Sequence, residues 1–183
     1  MRRAVAMALV GLLAHTAWLD AGTQRAPLSP RGTVDATIDG VHVTMEYGRP
    51  SKRGREIWGG LVPWGRWWMP GADEATSIVT SGPLMVGPLM MPAGTHTVYT
   101  LPGDKIFTLI INNQTGQFHT VYHPDRDLGR VPMRLTMLPD MVEQMTFRVV
   151  ADAPRGGALS LQWDDREYSV PLSGVVRQAA LGD

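Results

Sequence analysis

Four cations, Arg49, Lys52, Arg53 and Arg55, fall within seven residues, and Gly48 and Gly54 beside them let the backbone come close to a partner. Guanidinium groups at that density can clamp a carboxylate, sulfate or phosphate, because each offers paired N–H donors matched to two oxygens. The same cations could instead tie a long loop to its own acids, Glu56, Asp73 and Glu74. The second reading is preferred, since the spacing is not that of a Walker phosphate loop and so long a loop needs ties. Trp58, Trp64, Trp67 and Trp68 follow in the same segment, and an indole is a stacking face for a sugar ring or another flat ligand. Core packing competes for them: two or three of the four are expected to be structural, and one exposed indole suffices as a platform.

Asp73 and Glu74 carry the other candidate chemistry, since paired carboxylates do acid and base work on glycosidic bonds. Neighbours in an extended segment point to opposite faces, however, which is a poor arrangement for two carboxyls that must flank one bond. Glu74 is expected to open the strand ATSIVTS in a partly buried pair with Arg49 or Arg55, with Asp73 freer on the other face. Serine chemistry has no support: there is no G-x-S-x-G, and Ser77, Ser81, Ser160, Ser169 and Ser173 sit in ordinary strand or turn settings. No catalytic residue is assigned. His96, His119 and His123 are the metal candidates, without an HExxH motif. The run DRDLG at 125–129 resembles the start of a calcium loop, but Arg130 takes the glycine place and Thr136 that of the bidentate acid. Neither ligand set is complete, so no metal and no cofactor is expected, and Asp125, Arg126, Asp127 and Arg130 read as surface ion pairs. The candidate ligand-binding residues are Arg49, Arg53, Arg55, Trp58, Trp68, Asp73 and Glu74, for a small molecule, a glycan or an anion.

The elements that must hold these residues are strands. TVDATI and VHVTMEY alternate apolar and polar residues on either side of Asp39-Gly40, the strongest short hairpin signal. Val34, Ala36 and Ile38 should face inward with Val41, Val43, Met45 and Tyr47, leaving His42, Thr44 and Glu46 in solvent. Further β runs follow: ATSIVTS, PLMV, THTVYTL, KIFTLIINN, RVPMRLTML, QMTFRVV, ALSLQW and EYSVPL. No helical period is sustained, so the expected fold is all-β: an antiparallel sandwich or barrel-like sheet of roughly 8–10 short strands with one long Gly/Pro/Trp-rich loop over 48–72. Pro83, Pro88, Pro92 and Pro132 are expected at strand ends or edges, where a missing N–H does no harm.

The chain has 183 residues, 44% of them apolar, which suits one core. Lys plus Arg and Asp plus Glu are both 17, so there is no basic field and no nucleic-acid partner is expected. The absence of cysteine excludes thiol catalysis, cysteine-ligated zinc and disulfides. MRR followed by an uncharged run from Ala4 to Leu19 is a secretory signal pattern, short for a full membrane span. The expected organisation is a signal peptide over 1–23, a linker over 24–31, one β domain over 32–175 and a tail over 176–183. The expected location is the periplasm or the extracellular space, with a membrane contact only through an uncleaved leader.

YGRPSKRGREIWGGLVPWG, GADEAT, MPAGTHTVYTLPG and NNQTGQFHTVYHPDRDLGRVPM, in that order, resemble the bacterial domain-of-unknown-function 2911 family over roughly residues 28–173. The resemblance implies an exported, mostly β domain and supplies no mechanism. Where that family usually reads Trp-Arg-Thr-Gly-Ala-Asn-Glu-Ala-Thr, the matching stretch runs from Trp68 to Thr76, with Met69 in the arginine place and Asp73 in the asparagine place. The expected function is that of a small-molecule or glycan binding module or an envelope interaction protein, with a hydrolase acting on a glycan or another extracytoplasmic substrate as the alternative.

Overall fold

Asp39 and Gly40 both take positive φ, 49° and 82°, which shapes the two-residue turn between β1 (Arg31–Ile38) and β2 (Val41–Gly48). Asp and Gly are the residues that tolerate those angles cheaply, so the turn fixes the register Ile38 to Val41, and alternation then sorts the faces. Val43, Met45 and Tyr47 are buried, while His42 and Glu46 are exposed. In the computed structural model, which describes residues 29–152 and 154–175, seven further strands follow. They are β3 (Ser77–Thr80), β4 (Leu84–Val86), β5 (Leu89–Met91), β6 (Gly94–Leu101), β7 (Phe107–Asn112), β8 (Asp127–Ala151) and β9 (Gly157–Gly174). The expected leader over 1–23, the greater part of the linker and the tail lie outside the described residues. No helix among the described residues is long and apolar enough to cross a membrane.

All nine strands join one open antiparallel sheet in the order β1-β2-β3-β6-β7-β8-β9-β4-β5. The strand count meets expectation but the lengths do not. RVPMRLTML and QMTFRVV fuse into the 25-residue β8, and ALSLQW and EYSVPL into the 18-residue β9. The interruption between the halves is a pair of register shifts at Met137/Val142 and Val142/Thr146, so Pro139 and Asp140 mark a bend in a continuous ribbon. Pro83, Pro88 and Pro92 flank β4 and β5, whereas Pro132 lies inside β8, where that strand pairs with β7 and has not yet met β9.

The bend lets the far half of the β8–β9 ribbon fold over β1 and β2, giving the sandwich-like core. Tyr47 meets Phe147 edge to face at 5.0 Å and accepts the Phe147 N–H at 3.0 Å. Asp39 closes the end by accepting N–H groups from Gly156 at 2.9 Å and Gly174 at 2.8 Å. Those two bonds hold its carboxyl below the ordinary carboxylate value, against a small opposing effect of burial. A second, smaller cluster of Met69, Tyr99 and Ile110 packs on the opposite face of β6 and β7, so these strands are covered on both sides.

Candidate functional site

The loop between β2 and β3 is laced to the sheet at both ends. Near its start, Met145 N–H donates to Pro50 O at 2.9 Å and Lys52 N–H to Glu143 O at 2.8 Å, and the Lys52 ammonium pairs with Asp164. Near its end, Trp68 and Thr100 exchange two backbone bonds of 2.8 Å, and Gly65 N–H donates to Pro102 O at 2.7 Å. A side chain at Gly48 would collide with the backbone of Ala72, so glycine lets the two ends of the loop close on each other. Between the ends the loop packs on itself through Ile57 and Val62, both fully buried, as a long strandless loop must.

The lacing leaves a cavity of about 640 Å³ between the loop, the β9 side of the core and the segment at 119–120. Its floor is aromatic: Trp68 lies nearly parallel to the fully buried Trp163, centroids 6.2 Å apart and planes at 17°. Met69 joins the floor, and Pro50, Leu61 and Pro63 line the sides. Arg53, Arg55 and Arg66 also line it, with no aspartate or glutamate among the lining residues. Arg55 is aimed by two bonds to loop carbonyls, Nε to Lys52 O at 3.0 Å and Nη2 to Ser51 O at 2.6 Å. Arg66 has no ion pair among the described residues. Three cations with no lining acid create a positive potential inside a partly apolar wall, where charge is screened less than in bulk water.

Trp67 is the exposed indole of the loop, at 40% exposure, and stands at the cavity edge. It rests on Tyr122 at 5.2 Å and on Tyr99 at 6.0 Å. Tyr122 is itself fixed: its hydroxyl donates to Asp127 Oδ2 at 2.7 Å, and that carboxylate also accepts from Arg130 Nε at 2.9 Å and Asn112 Nδ2 at 2.9 Å. Burial first, and then the hydrogen bond and charge of Asp127, push the Tyr122 hydroxyl up to about 12. His119 completes the wall. Its Nδ1 lies 2.6 Å from the Asp73 carbonyl oxygen, which only accepts, so Nδ1 carries a hydrogen and Nε2 is the ring nitrogen left for another partner.

The sequence-derived candidates divide. Arg53, Arg55 and Trp68 meet at the cavity. Arg49 does not: it binds Thr146 Oγ1 at 3.1 Å and Met145 O at 3.5 Å, fastening the loop to β8. Trp58 is buried in the core against Tyr168 at 5.1 Å, Phe107 at 6.0 Å and Trp64 at 6.5 Å. Asp73 is exposed, holds φ at +65° and contributes its carbonyl to His119, not its carboxylate to the cavity. Glu74 pairs with Arg31 at 3.3 Å, and the pair is exposed, correcting the expectation of a partly buried pair with Arg49 or Arg55. The loop is tied by carbonyls, the Thr146 hydroxyl and the carboxylates of Glu143 and Asp164, not by the side chains of Glu56, Asp73 and Glu74, because Arg49, Lys52 and Arg53 sit where β8 and β9 pass. Trp67 supplies the one exposed indole that the tryptophan cluster calls for, whereas Arg66 and His119 carry no signal as ligand contacts in the sequence: a single arginine makes no pattern, and the spacing of His119 points only to a metal.

His96 is buried with Nδ1 3.1 Å from Asn113 Oδ1 and Nε2 3.1 Å from Pro92 O. Among the described residues no group of three or more His, Asp or Glu side chains converges on a point. Asp125 pairs with Arg126 at 3.8 Å and Asp127 with Arg130 at 2.9 Å.

No curated protein and no solved structure matches the chain. A family model does, over residues 29–172, which takes in β1 to β8, all but the last two residues of β9 and all the residues of the cavity just described. Its description is "Protein of unknown function (DUF2911)", and the chain belongs to that family.

Proposed function

We propose that the protein is an exported binding module for a small organic anion with a flat or apolar body, a class that includes acidic sugars and aromatic carboxylates or phosphates. The observation that carries the reading is the cavity lined by Arg53, Arg55 and Arg66 without a carboxylate, above the stacked Trp68 and Trp163. Arginine supplies the anion with directed donors, and indoles and prolines supply the rest of the ligand with apolar contact. Export rests on the charged start and the uncharged run from Ala4 to Leu19, and implies the periplasm or the extracellular space. Calorimetry of the purified protein with matched pairs, glucuronate against glucose and phenyl phosphate against phenol, tests the reading. The charged member of at least one pair should bind at least about tenfold more tightly, the equivalent of ~1.4 kcal/mol. Arg66→Ala should remove most of that difference without lowering Tm. Equal affinities within every pair, or no binding at all, would sink the proposal.

A hydrolase acting on a glycan or another extracytoplasmic substrate is the second reading, and His119 is the observation that favours it. The bond at Nδ1 orients the ring and leaves Nε2 for proton exchange in a wall that also contains Ser51 and Thr120. Asp73 and Glu74 lend it no support, since neither lines the cavity. Release of chromophore from aryl esters or aryl glycosides, abolished by His119→Ala, would favour catalysis over binding alone.

A further inference from the structure

We infer that the mouth of this cavity is a membrane-facing surface, and that the anion it receives is the headgroup of an acidic phospholipid in a bilayer. The inference rests on the anion-binding reading and adds where the anion is presented. Its first support is a loose apolar ring, two exposed side chains in the cavity lining and three on the segments that adjoin it. Leu61 and Trp67 line the cavity and are each 40% exposed. Phe118 is 54% exposed, with its ring 4.4 Å from that of His119 in the cavity wall. Val121, also exposed, holds the Tyr99 hydroxyl through its carbonyl at 2.6 Å, and Trp67 rests on the Tyr99 ring. Ile106, 61% exposed, belongs to the β6–β7 connection that Gly65 touches through Pro102. Single exposed apolar residues need no explanation, but a group of them around one opening marks an interaction surface.

Charge selects the occupant. Arg53, Arg55 and Arg66 share the opening with that ring, and Lys105 adjoins Ile106. The nearby acids stand outside the lining: Glu143 accepts the Arg53 backbone N–H at 2.8 Å, Asp164 is paired with Lys52, Glu74 with Arg31, and Glu56, Asp73 and Asp104 lie on flanking loop segments. A soluble anion would use the arginines and leave Phe118, Val121 and Ile106 in water. A bilayer with acidic headgroups uses both, since tryptophan favours the headgroup level, arginine lays its alkyl stem along apolar surface, and the anionic leaflet attracts the cations. The contact inferred is a peripheral one, made by the loops at the mouth of the cavity.

The test is binding of the full chain, as the expressing cell delivers it, to phosphatidylglycerol vesicles and to phosphatidylcholine vesicles, beside titration with soluble glycerol 3-phosphate. Phosphatidylglycerol should be bound at least about tenfold more tightly, because each surface cation contributes about fivefold. Arg66→Glu should cost on the order of tenfold and Trp67→Ala several-fold on phosphatidylglycerol alone. Melts check the fold of both variants, and Phe118→Ser, outside the cavity lining, gives a second deletion from the apolar ring with the same expected loss. Vesicle binding that ignores headgroup charge and all three substitutions belongs to the leader and overturns the inference. Binding of glycerol 3-phosphate with no preference between the vesicles overturns it while leaving the anion-binding reading standing. Binding of neither probe removes both.

Discussion

Trp68 lies on Trp163 with ring planes 17° apart and centroids at 6.2 Å, so a loop residue and a β9 residue share one aromatic stack that is both core and cavity floor. The stack couples site to fold. Trp68→Ala opens a void over a fully buried indole and should cost about 3 kcal/mol, whereas Trp68→Phe should cost about half as much. Chemical denaturation of the two variants measures both. A neutral Trp68→Ala would mean that the loop does not depend on the stack.

The Lys52–Asp164 pair is the ion pair that fastens the loop to β9, and both side chains are largely covered. Removing one partner leaves a poorly solvated charge, so Lys52→Met should cost about 1–3 kcal/mol and weaken anion binding by loosening Arg53 and Arg55. Lys52→Met combined with Asp164→Asn should recover part of the loss. A double-mutant cycle by thermal melting reads the coupling, and a coupling near zero contradicts the assigned role.

Glu74 and Asp73 are predicted to be mild. The Arg31–Glu74 pair is exposed on both sides, at 41% and 70%, so Glu74→Ala should change stability by no more than about 0.5 kcal/mol. Asp73 holds φ at +65°, where asparagine is tolerated as readily as aspartate and a β-branched side chain is not. Asp73→Asn should be close to neutral and Asp73→Val should cost at least about 1 kcal/mol. Melting curves of the three variants decide this, and a severe Glu74→Ala would restore the buried pair that the geometry rejects.

Asp39 at the acid end and the raised hydroxyls of Tyr99 and Tyr122 at the alkaline end are expected to shape stability against pH. Asp39 is held below its ordinary value of 3.8, so its contribution is present above that value and is lost as pH falls through the lower folded value. Tyr122 is raised from 10.0 to about 12, so its contribution is present below pH 10 and is lost as pH rises towards about 12. Asp39→Asn should flatten the acid limb of a plot of Tm against pH, and Tyr122→Phe the alkaline limb. Unchanged limbs in both variants would show that other groups control them.

Local signals were legible in the sequence and distant ones were not. Asp39-Gly40 fixes its hairpin with two residues, and the alternation of β1 and β2 gives their faces. Pro139-Asp140 looks like a strand end for the same local reason, yet the ribbon continues because β9 bends with it, which no short window contains. The site follows the same rule. Arg53 and Arg55 stand out as a cluster in sequence, but whether an arginine reaches the cavity or is taken up by a distant strand depends on what passes beside it. For Arg49 that neighbour is Thr146 of β8, 97 residues away. Trp67, Tyr122 and Asp127 form one support only after the chain returns, so no spacing in the sequence announces it.

Tryptophan indole N–H signals in a two-dimensional ¹⁵N NMR titration with phenyl phosphate test the central claim most directly, because they show where an anion sits. The account predicts saturable shifts of Trp67 and Trp68, little change at Trp58, and loss of the response in Arg66→Ala. Shifts centred on Trp58, or a response in Arg66→Ala equal to that of the unaltered protein, would contradict it.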